Sequence, residues 1–159
     1  MTKRRQALIS AVGDATQAYQ RAVDGFDDVV GRRLGLNRTD LRSLDWLTVR
    51  DMTAGELGQA TGLSGAATTS LVDRLERKGY VRRVRDTVDR RRVLVGLTPV
   101  ARERLGELYG PFAREGRELL DGYSDEQLTM MLEFLERATA IVDRRRDRIR
   151  SGSMEGPSA

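Results

Sequence analysis

Between Gly79 and Thr98 stand six arginines (Arg82, Arg83, Arg85, Arg90, Arg91 and Arg92) against two aspartates, Asp86 and Asp89. This local excess of four positive charges equals the net charge of the whole 159-residue chain. Guanidinium groups are planar, permanently charged forks that suit two-point contacts to phosphate and to the edge of guanine. Just upstream, Ser64, Gly65, Ala66, Thr68, Thr69 and Ser70 form a run of small and hydroxyl-bearing side chains, followed by Arg74, Arg77 and Lys78. Such hydroxyls donate or accept toward bases and phosphates, and an alanine methyl can meet a thymine methyl. The chemistry within reach is therefore recognition of a polyanion, with double-stranded DNA as the expected partner. A solvated helix face and a hairpin whose charges pair among themselves are the alternative readings of the same residues.

The rest of the composition excludes a good deal. The chain has no cysteine and no histidine, which removes disulfides, thiol redox switches, Cys/His metal centres and imidazole bases. No metal, cofactor or catalytic residue is expected, because no nucleophile or ligand motif organises the remaining Asp, Glu, Ser and Arg. All but two of the 28 basic residues, Lys3 and Lys78, are arginines. A GC-rich genome explains that overall bias as well as function does, but it does not explain the clustering. No apolar run approaches the roughly 18 residues that a membrane span needs. The opening MTKRRQALIS lacks the apolar block of a signal peptide, so a cytoplasmic protein without a membrane partner is expected.

These side chains need a frame. Leu8, Val12, Ala15, Tyr19, Ala22, Val23, Phe26 and Val30 recur at three-four spacing and predict a first helix over 5–30, broken at Gly31 to Gly35. Asn37 suits the N-cap of a second helix carrying Leu41, Leu44, Trp46 and Leu47. Thr53-Ala-Gly-Glu56 is a capping box within a Met52/Leu57 staple, and the short helix it starts ends at Thr61-Gly62-Leu63. Ser64 then caps a helix reaching about Lys78, so two helices joined by a glycine-containing turn form a helix-turn-helix. On a helical wheel Ala67, Leu71 and Leu75 point inward, leaving Gly65, Ala66, Thr69, Ser70 and Asp73 outward.

Beyond Gly79, Tyr80 to Arg85 and Arg92 to Leu97 are β-branched runs around a polar turn, and predict a hairpin. Thr98-Pro99 opens a helix toward Leu120, with Gly110-Pro111 placed to kink it. Ser124-Asp-Glu-Gln127 opens a last helix, to about Arg150, carrying Leu128, Met131, Leu132, Leu135, Ala138 and Val142. Residues 151–159 have the composition of a disordered tail. The fold class expected is mainly α with a small β-hairpin, a winged helix-turn-helix over 36–98 between dimerisation helices at 1–35 and 99–150.

The first and last helices carry apolar stripes that a small winged domain does not cover alone. Leu8, Val12, Tyr19, Leu128, Leu132, Leu135 and Val142 are thus candidates for a homodimer interface. Packing of the first helix on the last within one chain is the alternative. The basic stretch Asp143 to Arg150 reads as a solvated helix end or as a further phosphate contact.

In order and spacing, Leu57 to Ser64, Leu71 to Val81 and the segment Arg85 to Arg91 leading to Leu97-Thr98 resemble the MarR family of winged-helix regulators. The resemblance covers essentially residues 5–150. It implies a homodimeric, DNA-binding transcription regulator, most simply a repressor, acting on a pseudo-palindromic operator. Asp89, Arg90 and Arg91 would lie at a wing tip entering the minor groove, with Arg85 beside them. Members often carry a larger basic or polar residue where Ser70 stands, so base contacts do not transfer directly. The resemblance also implies a small-molecule effector, often an anionic aromatic, that lowers DNA affinity, with Tyr19 and Trp46 as pocket candidates; a packing role is the other reading of Trp46. Thiol-based sensing is excluded by the missing cysteine. A winged-helix module that docks an acidic protein partner is the rival function.

Overall fold

The computed structural model describes residues 2–152. Its elements run α1 (Lys3–Leu34), α2 (Arg38–Val49), β1 (Met52–Thr53), α3 (Ala54–Thr61), α4 (Gly65–Arg77), β2 (Val81–Arg85), β3 (Val93–Leu97), α5 (Pro99–Leu120) and α6 (Asp125–Arg150). Local chemistry explains most boundaries. Asn37, Thr53 and Ser124 each accept from the backbone N–H three residues on, while Asp40, Glu56 and Gln127 reach back to the cap backbone, closing three capping boxes. The first helix outruns its expected end by four residues and stops only at Gly35, which takes the left-handed conformation.

The sheet departs from a simple hairpin. Strand β3 lies between β2 and the two-residue β1, all antiparallel, with Arg85 opposite Val93 and Met52 opposite Val95. Met52, expected as a helix staple, is therefore also a strand residue. The third strand covers one edge of the hairpin and fastens the wing to the start of α3.

The chain divides into two compact units, Met1–Tyr109 and Gly110–Ala159. The first contains one core: Val30, Leu36, Leu41, Leu44, Leu47, Met52, Leu57, Leu71, Val72, Leu75, Tyr80, Val81, Val95, Leu97, Ala101 and Leu105. It draws on α1 and on the first turns of α5 as well as on the segment between them. The second unit comprises the rest of α5, where Pro111 sits inside the helix, and α6, which has no buried residue. Ser151 and Gly152 close α6 with a turn; the remainder of the expected tail, 153–159, lies outside the described residues.

Candidate nucleic-acid interface

The helix-turn-helix is held by close backbone approach. Gly62 ends α3 in the left-handed conformation, and the N–H groups of Gly62 and Leu63 both donate to the Gly58 carbonyl at 2.8 and 3.0 Å. A methyl group on Gly58 would stand 2.7 Å from Thr68 Oγ1, so only glycine lets α4 pack this tightly on α3. Ser64 caps α4 by accepting from the Ala67 N–H.

The face α4 presents differs from the wheel in phase. Thr68, Leu71, Val72 and Leu75 are the buried residues, at i, i+3, i+4 and i+7, and Ala67 is exposed. Thr68, expected to contact DNA, is only 1% exposed, and its hydroxyl donates to the Ser64 carbonyl. It is a packing residue. Gly65, Ala66, Ala67, Thr69, Ser70 and Asp73 remain exposed, and the Thr69 hydroxyl donates to the Gly65 carbonyl. The N-terminal half of the helix thus offers a shallow, small-side-chain surface suited to close approach.

Arg74, expected on the reading face of the recognition helix, and Lys78, expected at a phosphate, are both used within the protein. The Arg74 guanidinium donates to Asp40 at 2.5 Å, and the Lys78 ammonium donates to the Gly35 carbonyl. Arg77 stays exposed, with its Nε donating to the Asp73 carbonyl at 3.3 Å.

The wing sorts its arginines into two sets. Arg83 bridges to Asp73 and Glu76 of α4, and these carboxylates hold its pKa above the ordinary range. Arg92 reaches Glu56 at 3.2 Å and Asp86 at 3.8 Å. These two fasten the wing to α4 and α3. Among the described residues no carboxylate lies within 4 Å of Arg82, Arg85, Arg90 or Arg91, all exposed, so the unneutralised charge runs out along β2 to the tip. Asp89 does not grip a guanidinium; its carboxylate accepts the Arg91 N–H at 3.0 Å and its carbonyl the Arg92 N–H at 2.9 Å, while Asp86 accepts the Val88 N–H. Both aspartates shape the turn that carries the arginines.

A cavity of about 840 Å³ opens between α1, α2, the end of β3 and α5. Val23, Leu41, Leu97 and Leu105 give it an apolar lining, and Tyr109 adds a ring packed edge-on against Phe26. Asp24, Asp27 and Asp45 line it together with Arg38, Arg42 and Arg102. Arg38 is taken by Asp28 in a two-point pair, and the Tyr109 hydroxyl donates to Asp27 at 2.8 Å. Burial and that same carboxylate push the Tyr109 phenol up, and burial, with the Asp27 charge, pushes Asp45 up. Neither sequence-predicted pocket residue lines this space: Tyr19 is 65% and Trp46 41% exposed. Both sit elsewhere on their helices, and Tyr109 is the aromatic residue the sequence reading missed.

Asp40 was missed as well, although Asn37-x-x-Asp40 has the form of a capping box and an acid 1% exposed demands a partner. Of the expected interface residues, Leu8, Val12, Tyr19, Leu132, Leu135 and Val142 are exposed and Leu128 is half-buried.

Comparison with known proteins agrees with this geometry. The family model described as MarR family matches residues 34–92, which run from the end of α1 through α2, α3, α4 and β2 to the turn of the wing. The HTH-type transcriptional regulator YcgE of Bacillus subtilis (strain 168) is 38% identical over 126 residues, covering 79% of this chain and 82% of its own length. A MarR family protein from Bacillus stearothermophilus superimposes with a TM-score of 0.59 at 26% identity, over 90% of this chain and 99% of that one. The fold is shared by a mutant of S. aureus MepR bound to an oligodeoxyribonucleotide, at 19% identity and a TM-score of 0.51, over 80% and 97% of the two chains. With a buried helix-turn-helix core, an arginine-tipped wing and a relative this similar over most of both chains, the protein belongs to the MarR family and is a transcriptional regulator rather than an enzyme.

Proposed function

We propose that the chain binds double-stranded DNA as a homodimer and represses transcription from a pseudo-palindromic operator. One observation carries this reading: the exposed small-residue face of α4 is joined, through Arg83 to Asp73 and Glu76, to a hairpin whose Arg85, Arg90 and Arg91 have no carboxylate within ion-pair reach among the described residues. A recognition helix enters the major groove by its N-terminal residues, here Ser64, Gly65, Ala66, Thr69 and Ser70. The wing arginines suit the negative potential of the flanking minor groove, and Arg77 suits a phosphate. The pairing of two copies is supported by the apolar residues that α1 and α6 each leave exposed. Two-fold symmetry places half-sites about 10 base pairs apart. Selection of bound fragments from random duplex DNA tests specificity and symmetry together. Recovery of an inverted repeat is the expected result, and recovery of no preferred sequence points instead to a module that docks an acidic protein.

A small-molecule effector finds room in the cavity of the first unit, whose volume is that of a drug-sized ligand site. Among the described residues Asp24, Asp27 and Asp45 have no ion-pair partner within 4 Å, against Arg42 alone among the lining arginines, since Arg38 and Arg102 are paired. The lining therefore favours an aromatic molecule with a cationic group over the anionic class that the family resemblance implies. Titrating matched aromatic cations and anions into a preformed protein–DNA complex separates the two: release by cations alone is expected, and release by anions alone reverses the assignment.

A further inference from the structure

We propose that Asp40 and Arg74 are positioning residues that set the azimuth of the recognition helix, and that the Arg74 charge serves the protein interior rather than a DNA phosphate. The proposal rests on the DNA-binding reading of α4. Asp40 is the third residue of α2 and is almost wholly buried. Its carboxylate is held from both sides, accepting the Asn37 N–H at 3.2 Å on Oδ2 and the Arg74 guanidinium at 2.5 Å on Oδ1. Asp40 and Arg74 are 34 residues apart in sequence, so the pair ties α2 directly to the far half of α4. Among the described residues the Arg74 Nε is buried without a hydrogen-bond partner, although the side chain as a whole is 36% exposed.

Two further donors from the end of α4 and the residues after it bind the same corner. The Lys78 ammonium donates to the Gly35 carbonyl, and the Tyr80 hydroxyl donates to the Leu34 carbonyl at 3.0 Å. Arg74, Lys78 and Tyr80 thus form a polar clasp on the α1–α2 junction. Near the start of α4 Thr68 packs closely against Gly58; farther along, the inward contacts through Leu71, Val72 and Leu75 are apolar and non-directional and tolerate a small rotation. Charge-assisted hydrogen bonds do not, because they weaken steeply off line. Ser70 stands one helical turn before Arg74, so a rotation that Asp40 prevents would turn Ser70 and Ala66 away from the base edges they face.

The experiment compares wild type, Asp40→Asn, Arg74→Gln, the double variant and the milder Tyr80→Phe. Each is assayed for binding to a selected operator and to nonspecific duplex over a range of salt, with helicity checked by circular dichroism. Expected for the singles at positions 40 and 74 is a loss of operator affinity of about tenfold or more, with nonspecific affinity and the salt slope unchanged, and a double variant no worse than the worse single. Tyr80→Phe, which removes one hydroxyl, lowers the operator preference by a smaller factor, and decides the matter if the charge variants do not fold. The proposal is overturned if Arg74→Gln weakens both duplexes alike and reduces the salt slope by about 0.9 for each phosphate no longer neutralised, while Asp40→Asn binds normally. It is equally overturned if the folded variants, Tyr80→Phe included, all keep the wild-type preference. A wild type with no preferred duplex defeats the regulator reading and not this one; hydrogen exchange of α4 amides then decides, faster exchange over 65–77 in the variants supporting the clasp and unchanged exchange refuting it.

Discussion

The recognition helix and the wing approach the same task with opposite materials. Along the first two turns of α4 the exposed residues are glycine, alanine, threonine and serine, and the arginine that follows is bonded to Asp40. At the wing tip the arginine side chains are long and cationic, and among the described residues no carboxylate within ion-pair reach balances Arg85, Arg90 or Arg91. One surface works by shape and by hydroxyl groups, the other by charge. The helix should therefore govern which sequence is bound, and the wing how tightly and with what sensitivity to salt.

The largest effect that would break this contrast is removal of the tip. Arg91→Ala should weaken operator binding by about 1 to 3 kcal/mol, and Arg90→Ala with Arg91→Ala should weaken it further and flatten the salt slope, all with native helicity. Anisotropy titrations over a salt series check this. A double variant with an unchanged slope would leave the wing no role in holding DNA. Next comes the support of the helix. Gly58→Ala drives a methyl group to within 2.7 Å of Thr68 Oγ1 and should cost about 1 to 3 kcal/mol of stability by overpacking the α3–α4 contact, read as a lower melting temperature.

Thr53→Ala, which removes the cap of α3, should cost about 0.5 to 2 kcal/mol. Its partner Glu56 links α3 to the wing, since it closes the capping box and also receives Arg92. Hydrogen bonds from the Thr53 backbone and hydroxyl hold its carboxyl at about 2, below the ordinary 4.5. A depressed pKa in the folded state contributes stability that is present above the unfolded value and lost as the pH falls through the folded one. Acid melting curves should accordingly show part of the stability disappearing between about pH 4.5 and about pH 2, a component that Glu56→Gln lacks. The smallest effect is that of Ser70→Ala, expected to alter base preference at one position and to leave the salt slope alone. A variant with the wild-type preference at every position would remove Ser70 from the reading surface.

What the sequence disclosed was local. The boxes at Thr53/Glu56 and Ser124/Gln127, the cap at Ser64, the glycine at the end of α3 and the two long strands are all written within a few residues of where they act. What it concealed was non-local or a matter of phase. Thr68 and Ala67 differ by one step of the helical wheel, and the i, i+3, i+4, i+7 set at 68, 71, 72 and 75 fixes the buried face more surely than the apolar residues alone. Counting charges over 79–98 weighted six arginines equally, whereas Arg83 and Arg92 are neutralised by acids on α3, α4 and the wing's own turn. Strand β1 is two residues long and exists only through β3. The cavity needed Tyr109 and Asp27, which are 82 residues apart.

The most direct measurement is the affinity of the wild-type protein for its selected duplex at rising salt. Neutralisation of several phosphates by the two wings requires a loss of orders of magnitude in affinity between about 50 and 200 mM salt, linear on logarithmic axes. Binding that is flat across that range would contradict an arginine-tipped hairpin seated on DNA.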